Sequence, residues 1–195
     1  MFPILLDSSR LKIMLIGNGV AALRRLKLLD DDGAKWVSVF ADNPSPELKK
    51  AAGERLRIRL PEAEDFSGVA VVMIADFAEE KAAELAAQAR EYKVLVNVED
   101  NKKHCDYHVP AIVRRGDFLV TVSTGGASPR LARRVRQLLE KLFPMEWGEK
   151  VKELGILRSE WKKAGDDMQA VAGKTDDWLE QNSLLKNICK AKESI

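Results

Sequence analysis

The fold can be inferred from Leu11-Lys12-Ile13-Met14-Leu15-Ile16-Gly17-Asn18-Gly19-Val20-Ala21-Ala22. Its apolar first half, residues 11–16, is typical of a strand that is buried on both faces of a parallel sheet. Apolar residues then recur at helical intervals from Val20 to Leu29, and Gly33 follows as a typical helix stop. The stretch therefore predicts a strand, a glycine turn and a helix.

The alternation of strand and helix patterns continues beyond this stretch. Strands are predicted at 36–41, 55–60, 69–75 and 94–98, and helices at 47–53 and 78–92. Such alternation is typical of an α/β fold. We expect a Rossmann-like parallel sheet with helices on both of its faces.

The last third of the chain has a different pattern. One more strand is predicted at 118–122, and a loop of small residues leads from it into a helix with Pro129 in its first turn. Beyond Pro144 no strand pattern remains. Residues 146–195 are predicted to form a small C-terminal helical domain whose core contains Trp147, Trp161 and Trp178.

Composition excludes several classes of protein. With 195 residues, of which 46% are hydrophobic and 32% charged, the chain has the balance of a globular protein with one full core and a small appendage. The net charge of +2 gives no overall attraction to nucleic acid or to a membrane, and neither is expected as a partner. The two cysteines are far apart, which favours free thiols in a reducing compartment, and no apolar run is long enough to span a membrane. We expect a cytoplasmic protein.

The glycine turn has the spacing Gly17-x-Gly19-x-x-Ala22 between a predicted strand and a predicted helix. Backbone amides and the helix N-terminus can hold a pyrophosphate there, while the small third residue allows close packing of helix and strand. Asp42 follows the second strand, where such folds place a carboxylate on the ribose, and this favours NAD over NADP. The alternative is a turn without a ligand, in which Asp42 opens an Asp-Asn-Pro turn.

Two further clusters contain groups that could carry chemistry. Glu99 and Asp100 follow the predicted strand 94–98, at the edge where open α/β sheets bind ligands, and spacing alone does not decide which acid transfers a proton and which caps a turn. Both histidines and a cysteine lie within residues 104–108, so a metal site has to be considered. No second cluster of ligands accompanies them, which favours a turn beside the active site, and no metal ligand is assigned.

Residues 114–141 are strongly basic, with seven arginines and lysines against two acids. Guanidinium groups bind carboxylates through paired hydrogen bonds, so a polyanionic ligand fits this segment. The small-residue loop at 123–129 is a further candidate ligand contact. Nucleic acid, a solvated helix face and ion pairs between subunits are the alternatives.

These motifs together resemble the siroheme synthase family, specifically its precorrin-2 dehydrogenase and sirohydrochlorin ferrochelatase module. The resemblance runs from Pro3 to about Met145. It depends on Leu15-Ile16-Gly17-Asn18-Gly19-Val20-Ala21-Ala22 with Arg24-Arg25, on Asn97-Val98-Glu99-Asp100, on Cys105-Asp106-Tyr107 and Pro110-Ala111-Ile112, and on Ser123-Thr124-Gly125-Gly126-Ala127-Ser128-Pro129 with Leu131-Ala132-Arg133.

The resemblance implies NAD-dependent oxidation of precorrin-2 to sirohydrochlorin, followed in some members by insertion of Fe²⁺ to give siroheme. The tetrapyrrole substrate carries eight carboxylates, which agrees with the basic segment. It also implies a homodimer with three parts: a Rossmann-like NAD-binding domain at 1–112, a dimerisation and tetrapyrrole-binding segment at 113–145, and the helical domain at 146–195.

The resemblance also implies roles for individual residues. Asp100 would be the catalytic general base or proton shuttle, and Ser128 would line the tetrapyrrole cleft, where some members are phosphorylated. The implied cofactor-binding residues are Gly17, Asn18, Gly19, Val20, Ala22, Asp42 and Asn97. The implied substrate-binding residues are Ser123, Gly125, Gly126, Ser128, Arg133 and Arg134. A nucleotide-sensing regulatory module without catalysis is the alternative, but it gives no reason for the loop at 123–129.

Overall fold

The computed structural model describes residues 2–185, and these form two compact units with their boundary between His108 and Val109. The first unit holds a sheet of five parallel strands in the order β3-β2-β1-β4-β5. Its strands are β1 (Lys12–Ile16), β2 (Trp36–Phe40), β3 (Leu56–Arg57), β4 (Val71–Ile74) and β5 (Leu95–Val98), and its helices are α1 (Val20–Asp31), α2 (Pro46–Ala52) and α3 (Glu79–Glu91). The predicted α/β, Rossmann-like fold is confirmed.

The core of the first unit forms around the two central strands. Ile16 of β1 pairs with Phe40 of β2 and with Ile74 of β4, and all three side chains are buried. Leu85 of α3 and the ring of Phe66 pack into the same cluster. Both faces of the central strands are covered, which is why their sequences are continuously apolar rather than alternating.

All five strands run parallel, so the loops that follow them meet at one edge of the sheet. Strand β1 is central, with β2 and then β3 on one side and β4 and then β5 on the other, so the direction of the chain connections reverses between β1 and β4. Such a switch point leaves a crevice outside the carboxyl ends of the strands, where open α/β sheets bind ligands. The glycine turn after β1 lies at this position.

The second unit has its own small sheet and its own core. Its elements are the antiparallel hairpin of β6 (Ala111–Arg115) and β7 (Phe118–Val122), and the helices α4 (Pro129–Leu142), α5 (Glu146–Lys163) and α6 (Met168–Gln181). The ring of Trp147 lies 4.9 Å from those of Phe118 and Phe143, centroid to centroid. Trp147 and Trp178 are buried and Trp161 packs against their cluster, so the predicted core role of the three tryptophans is confirmed.

The strand predicted at 118–122 is present as β7. Its partner β6 was not predicted, because the short apolar run of β6 lies between Pro110 and two arginines. One strand prediction needs correction. The strand predicted at 55–60 is only two residues long, since β3 is an edge strand that pairs with β2 alone and Ile58 beyond it is exposed. The divisions at 112/113 and 145/146 stay predictions.

No helix within residues 2–185 is both long enough and apolar enough to cross a membrane. Cys189 and the last part of the predicted helical domain lie outside the described residues.

Candidate active site

The glycine turn after β1 is tightly packed. A Cβ atom at Gly17 would lie 2.7 Å from Cβ of Ala22 and 2.8 Å from the carbonyl oxygen of Ala75. Real Cβ atoms do not approach other atoms so closely, so any larger residue at 17 would push α1 away from the sheet. The spacing of Gly17 and Ala22 thus has the packing role that the sequence analysis gave it.

The carboxylate of Asp76 lies at the N-terminus of α1. Its Oδ2 accepts hydrogen bonds from the backbone N–H of Gly19 (2.8 Å) and of Ala22 (2.9 Å), and its Oδ1 accepts one from the N–H of Ala21 (3.2 Å). No side chain from within α1 caps this end. Asp76 was not among the site residues predicted from the sequence. Its position directly after β4, the neighbour of β1, is the signal that could have found it.

The remaining donors of the turn can hold a phosphate. Within residues 2–185, the backbone N–H groups of Asn18 and Val20 have no hydrogen-bond acceptor, and Val20 as a residue is 72% exposed. Two unpaired amides at a helix N-terminus, on an open crevice edge, are the donors that an anionic phosphate needs. The residues present therefore fit the phosphates of a dinucleotide.

Asn18 links the turn to the loop after β2. Its Nδ2 donates to Oδ1 of Asp42 (2.8 Å), its Oδ1 accepts from the N–H of Asn43 (3.0 Å), and its carbonyl oxygen accepts from the N–H of Ser45 (2.7 Å). Asp42 is exposed, and within residues 2–185 this is its one hydrogen bond. Its second carboxylate oxygen is open to a ligand beside the glycine turn.

The two acids after β5 are in different environments. Glu99 forms ion pairs with Arg25 (2.6 Å, Oε2 to Nε) and Arg24 (3.2 Å, Oε1 to Nη2) of α1, and its side chain is largely covered. Asp100 is exposed and makes no hydrogen bond or ion pair with any residue in the described range. Its backbone has φ 57°, a left-handed conformation that Asp tolerates better than most residues. Spacing left the two acids equal, whereas in the structure Glu99 is paired and Asp100 has no partner among the described residues.

Asn97 of β5 is buried close to these acids. Its Nδ2 donates to the carbonyl oxygen of Tyr107 (2.9 Å), while its Oδ1 is buried with no hydrogen-bond partner among the described residues. A buried acceptor without a donor is costly, so this oxygen is suited to receive an N–H or O–H group from a ligand or water. Asn97 is 4% exposed, and its Oδ1 is the side-chain atom that lacks a hydrogen-bond partner among the described residues.

The segment 104–108 is occupied with structural contacts. The carboxylate of Asp106 pairs with Arg90 (2.9 Å), and Sγ of Cys105 accepts from the N–H of Val98 (3.2 Å). Burial raises the pKa of the Cys105 thiol, and burial raises that of the Tyr107 hydroxyl. Among residues 2–185, no three His, Cys, Asp or Glu side chains come together in a metal-binding arrangement.

The small-residue loop lies in the second unit and leads into α4. Gly125 (φ 62°) and Gly126 (φ 81°) both adopt a left-handed backbone that favours glycine. The N–H of Ser128 donates to Oγ1 of Thr124 (3.0 Å), and the Ser128 hydroxyl accepts from the N–H of Leu131 (3.2 Å) as the cap of α4. Ser123 accepts from the N–H of Gly125 through its hydroxyl (3.2 Å).

The basic residues of the second unit fall into two groups. The Arg115 guanidinium donates to the carbonyl oxygens of Phe143 (2.7 Å) and Glu140 (3.2 Å), and Arg136 pairs with the Glu140 carboxylate, so both hold the unit together. Arg133 and Arg134 are exposed on α4 and form no ion pair with another described residue. The predicted cofactor-binding residues and Asp100 thus belong to the first unit, and the predicted substrate-binding residues to the second.

Two family models match the chain. The one described as putative NAD(P)-binding matches residues 4–111, and the one described as sirohaem biosynthesis protein central matches residues 120–142. The two matches cover the glycine turn, the acids after β5, and most of β7 and α4.

Similar proteins bear related names. The chain is 36% identical to a siroheme synthase of Methylococcus capsulatus over 165 residues, which are 83% of this chain and 35% of that protein. It is 37% identical to a siroheme synthase of Ectopseudomonas mendocina over 138 residues, which are 70% of this chain and 30% of that protein. The chain therefore spans about a third of the length of these relatives.

The fold is similar to a solved structure named SirC, precorrin-2 dehydrogenase. The superposition covers 97% of this chain and all of the other, with a TM-score of 0.75 and 21% sequence identity. At this identity the likeness concerns the fold.

Proposed function

Because the chain belongs to the putative NAD(P)-binding family whose model matches residues 4–111, we propose that it oxidises precorrin-2 to sirohydrochlorin with NAD⁺. The observation that carries the proposal is Asp100. It is an exposed carboxylate without a partner among the described residues, at the same sheet edge as the glycine turn. The siroheme synthase relatives and the fold of a precorrin-2 dehydrogenase support the choice of substrate.

The reaction removes a hydride and a proton from the macrocycle. NAD⁺, when bound, supplies the hydride acceptor at C4 of its nicotinamide. Asp100 receives the proton that leaves as the double bond forms, and its exposure lets it pass that proton to solvent. Glu99 remains paired with Arg24 and Arg25 and keeps the turn after β5 in position.

The cofactor is held by the glycine turn. Gly17, Gly19 and Ala22 shape the turn, and the N–H groups of Asn18 and Val20 bind phosphate. Asp42 accepts a hydrogen bond from a hydroxyl of the adenosine ribose, which favours NAD over NADP because a 2′-phosphate would meet its negative charge. Asn97 is assigned to the cofactor site because its Oδ1 has no hydrogen-bond partner among the described residues.

The substrate is held by the second unit. The carboxylates of the substrate pair with Arg133 and Arg134, which have no ion pair within residues 2–185. Ser123, Gly125, Gly126 and Ser128 contribute the loop before α4. The match of the sirohaem model to residues 120–142 supports this assignment over a purely nucleotide-sensing module.

We propose two extensions. The first is insertion of Fe²⁺ into sirohydrochlorin, in which Asp100 accepts the pyrrole N–H protons that the metal displaces. Acceleration of Fe²⁺ or Co²⁺ insertion by the chain, measured from the absorbance change, would support it; a rate equal to the spontaneous one would contradict it.

The second extension is a homodimer, supported by Leu131 and Leu138 of α4, which are 55% and 43% exposed. Light scattering after gel filtration should give twice the chain mass of 21.8 kDa.

The experiment that tests the dehydrogenase is anaerobic incubation with precorrin-2 and NAD⁺, followed by the absorbance of NADH and sirohydrochlorin. Asp100→Asn should lower kcat by about 100-fold or more, because a positioned general base contributes about 10²–10⁴ in rate, while the Kd for NAD is unchanged. Glu99→Gln is the comparison variant and should retain far more turnover.

Two results would contradict the proposal. Absence of NADH with the unmodified chain, despite measured NAD binding, would exclude precorrin-2 as its substrate. Full turnover in Asp100→Asn together with loss in Glu99→Gln would move the proton transfer to Glu99.

A further inference from the structure

Asp76 occupies donors that dinucleotide folds offer to the pyrophosphate. The first turn of a helix leaves four backbone N–H groups without an intrahelical acceptor, and an anion is attracted to them. In this chain the carboxylate of Asp76 reaches the N–H groups of Gly19, Ala21 and Ala22 from the end of β4. A carboxylate of the chain itself therefore fills much of the anion site.

The same contact places a negative charge beside the donors that remain. The N–H groups of Asn18 and Val20, which have no acceptor within residues 2–185, flank Gly19, whose own N–H is bonded to Asp76. A phosphate bound to these amides would lie next to the Asp76 carboxylate and share its donors. The negative charges of the phosphate and of the Asp76 carboxylate would repel each other. The phosphate and the carboxylate therefore cannot both bind the amides of this turn at full strength.

The Asp76 side chain is held in a way that allows it to leave. Asp76 is an exposed residue, and within residues 2–185 its carboxylate has the three backbone bonds and no basic side chain as a partner. It lies in the connection between β4 and α3, where φ of 65° gives it a left-handed backbone. Because the side chain is exposed, rotation about its bonds would release the three amides.

We propose that Asp76 is an internal anion that competes with the pyrophosphate of the dinucleotide for the amides at the N-terminus of α1. In the ligand-free chain it caps α1, and a phosphate bound at the N–H groups of Asn18 and Val20 must overcome its charge and compete for the neighbouring donors. Asp76 thereby lowers cofactor affinity and favours release of the bound dinucleotide. This inference rests on the proposed cofactor site, and it is independent of the proposed substrate.

The test compares Asp76→Asn and Asp76→Ala with the unmodified full chain. The Asn side chain keeps the size and one acceptor oxygen but loses the charge, and the Ala side chain opens all three amides. The matched control is Glu80→Gln, an exposed acid in the first turn of α3 that loses the same charge. Calorimetric titration with NAD measures the Kd, and adenosine serves as a ligand without phosphate.

Asp76→Asn should bind NAD about three- to tenfold more tightly than the unmodified chain, since charges at helix ends contribute on this scale. Asp76→Ala should bind at least as tightly, with a lower Tm before NAD is added because α1 has lost its cap. Glu80→Gln should bind NAD like the unmodified chain, and adenosine affinity should be the same in all four proteins.

Equal or weaker NAD binding by both Asp76 variants, with the unmodified chain binding normally, would overturn the competition and make Asp76 a positioning residue. A gain in adenosine affinity as large as that for NAD would overturn it too, since a competitor for phosphate cannot act on a ligand without one. Failure of all four folded proteins to bind NAD at millimolar concentration would overturn the proposed cofactor site and the competition together.

Discussion

Four carboxylates follow strands at one edge of the sheet, and each has different neighbours. Asp42 accepts one bond from an amide side chain, Asp76 accepts three from backbone N–H groups, Glu99 pairs with two arginines, and Asp100 has no partner in the described chain. The chemical group is the same in all four. The groups that reach each carboxylate decide whether it caps a helix, forms ion pairs or keeps an oxygen without a partner in the described chain.

Asp42 should determine the choice of dinucleotide. Asp42→Ala removes a ribose hydrogen bond, whose loss is worth about 1 kcal/mol, so the Kd for NAD should rise about fivefold. The Kd for NADP should rise less or fall, because the charge that opposes its 2′-phosphate is gone. Titration with both dinucleotides measures the ratio, with Asn43→Ala as the control. Equal losses for the two cofactors would count against a ribose contact.

Cys105 should react slowly with alkylating reagents. Burial raises the pKa of its thiol above the ordinary value of 9.0, which keeps it protonated and unreactive at pH 8.5. In a Cys189→Ser background, iodoacetamide should modify Cys105 at least about tenfold more slowly in the folded chain than in urea, as followed by mass spectrometry. Equal rates would contradict the burial of the thiol.

The raised pKa also gives the direction of a stability change. Folding favours the protonated thiol, so its contribution to stability is fully present below the unfolded pKa of Cys105 and is lost as the pH rises through the folded pKa. The free energy of unfolding should therefore fall above about pH 9 by more in the unmodified chain than in Cys105→Ala. Urea titrations of both proteins at pH 8 and pH 10 measure this difference.

At the scale of the element, α4 combines a defined start with an exposed basic face. Ser128 caps its N-terminus, and Pro129 occupies the first helical position, where no N–H donor is needed. Val113 of the hairpin and Ala132 of α4 are buried, whereas the arginines at 130, 133 and 134 are exposed. The helix is thus anchored through a narrow stripe and leaves its charged side open.

Replacement of Arg133 and Arg134 by Ala should raise the KM for precorrin-2 about tenfold or more, because each charge-assisted hydrogen bond is worth about 1.5–3 kcal/mol. The dependence of KM on salt concentration should weaken as well. Lys152→Ala/Lys163→Ala on α5 removes the same charge from exposed positions and is the matched control. An unchanged KM with a lower Tm or an altered oligomeric state would make the arginines structural.

At the scale of the whole molecule, each unit has a hydrophobic core of its own. The core of the first unit is formed by the sheet and α3. That of the second unit is an aromatic cluster in which Phe118 of β7 and Phe143 after α4 contact Trp147 of α5. The hairpin, α4 and the later helices are therefore held together by a few large rings.

Trp147→Ala should destabilise the second unit by about 3–5 kcal/mol, since a large buried side chain is lost and a cavity remains. Hydrogen exchange measured by mass spectrometry should show lost protection in β6, β7 and α5, while β1 and β4 keep theirs and NAD still binds. Trp161→Ala, at a less buried ring, should have a smaller effect. Equal loss of protection in both units would contradict separate cores.

Much of the first unit could be predicted from the sequence because its signals are local. A continuous apolar run before Gly17 indicates a strand covered on both faces, and the periodicity after Val20 indicates a helix, whatever the rest of the chain does. The need for small residues at 17 and 22 follows from the close approach of helix and strand. The structure confirms this, since a Cβ atom added at Gly17 would lie only 2.7 Å from Cβ of Ala22. The α/β fold class could be predicted from the repetition of these strand and helix patterns along the chain.

The remaining features depended on contacts between residues far apart in the chain. The pairing of β7 with β6, the bond of Asp76 to an amide 57 positions earlier and the pairing of Glu99 with Arg25 across 74 positions have no local signature. Spacing could place Glu99 and Asp100 at the sheet edge but could not separate them. The sequence by itself thus determined most of the elements of the first unit and the edge at which chemistry is expected, because periodicity and turn residues act within a few positions. Only the tertiary structure decided which carboxylate is neutralised, which one caps α1 and which one is available, because that depends on the side chains that folding brings beside each acid.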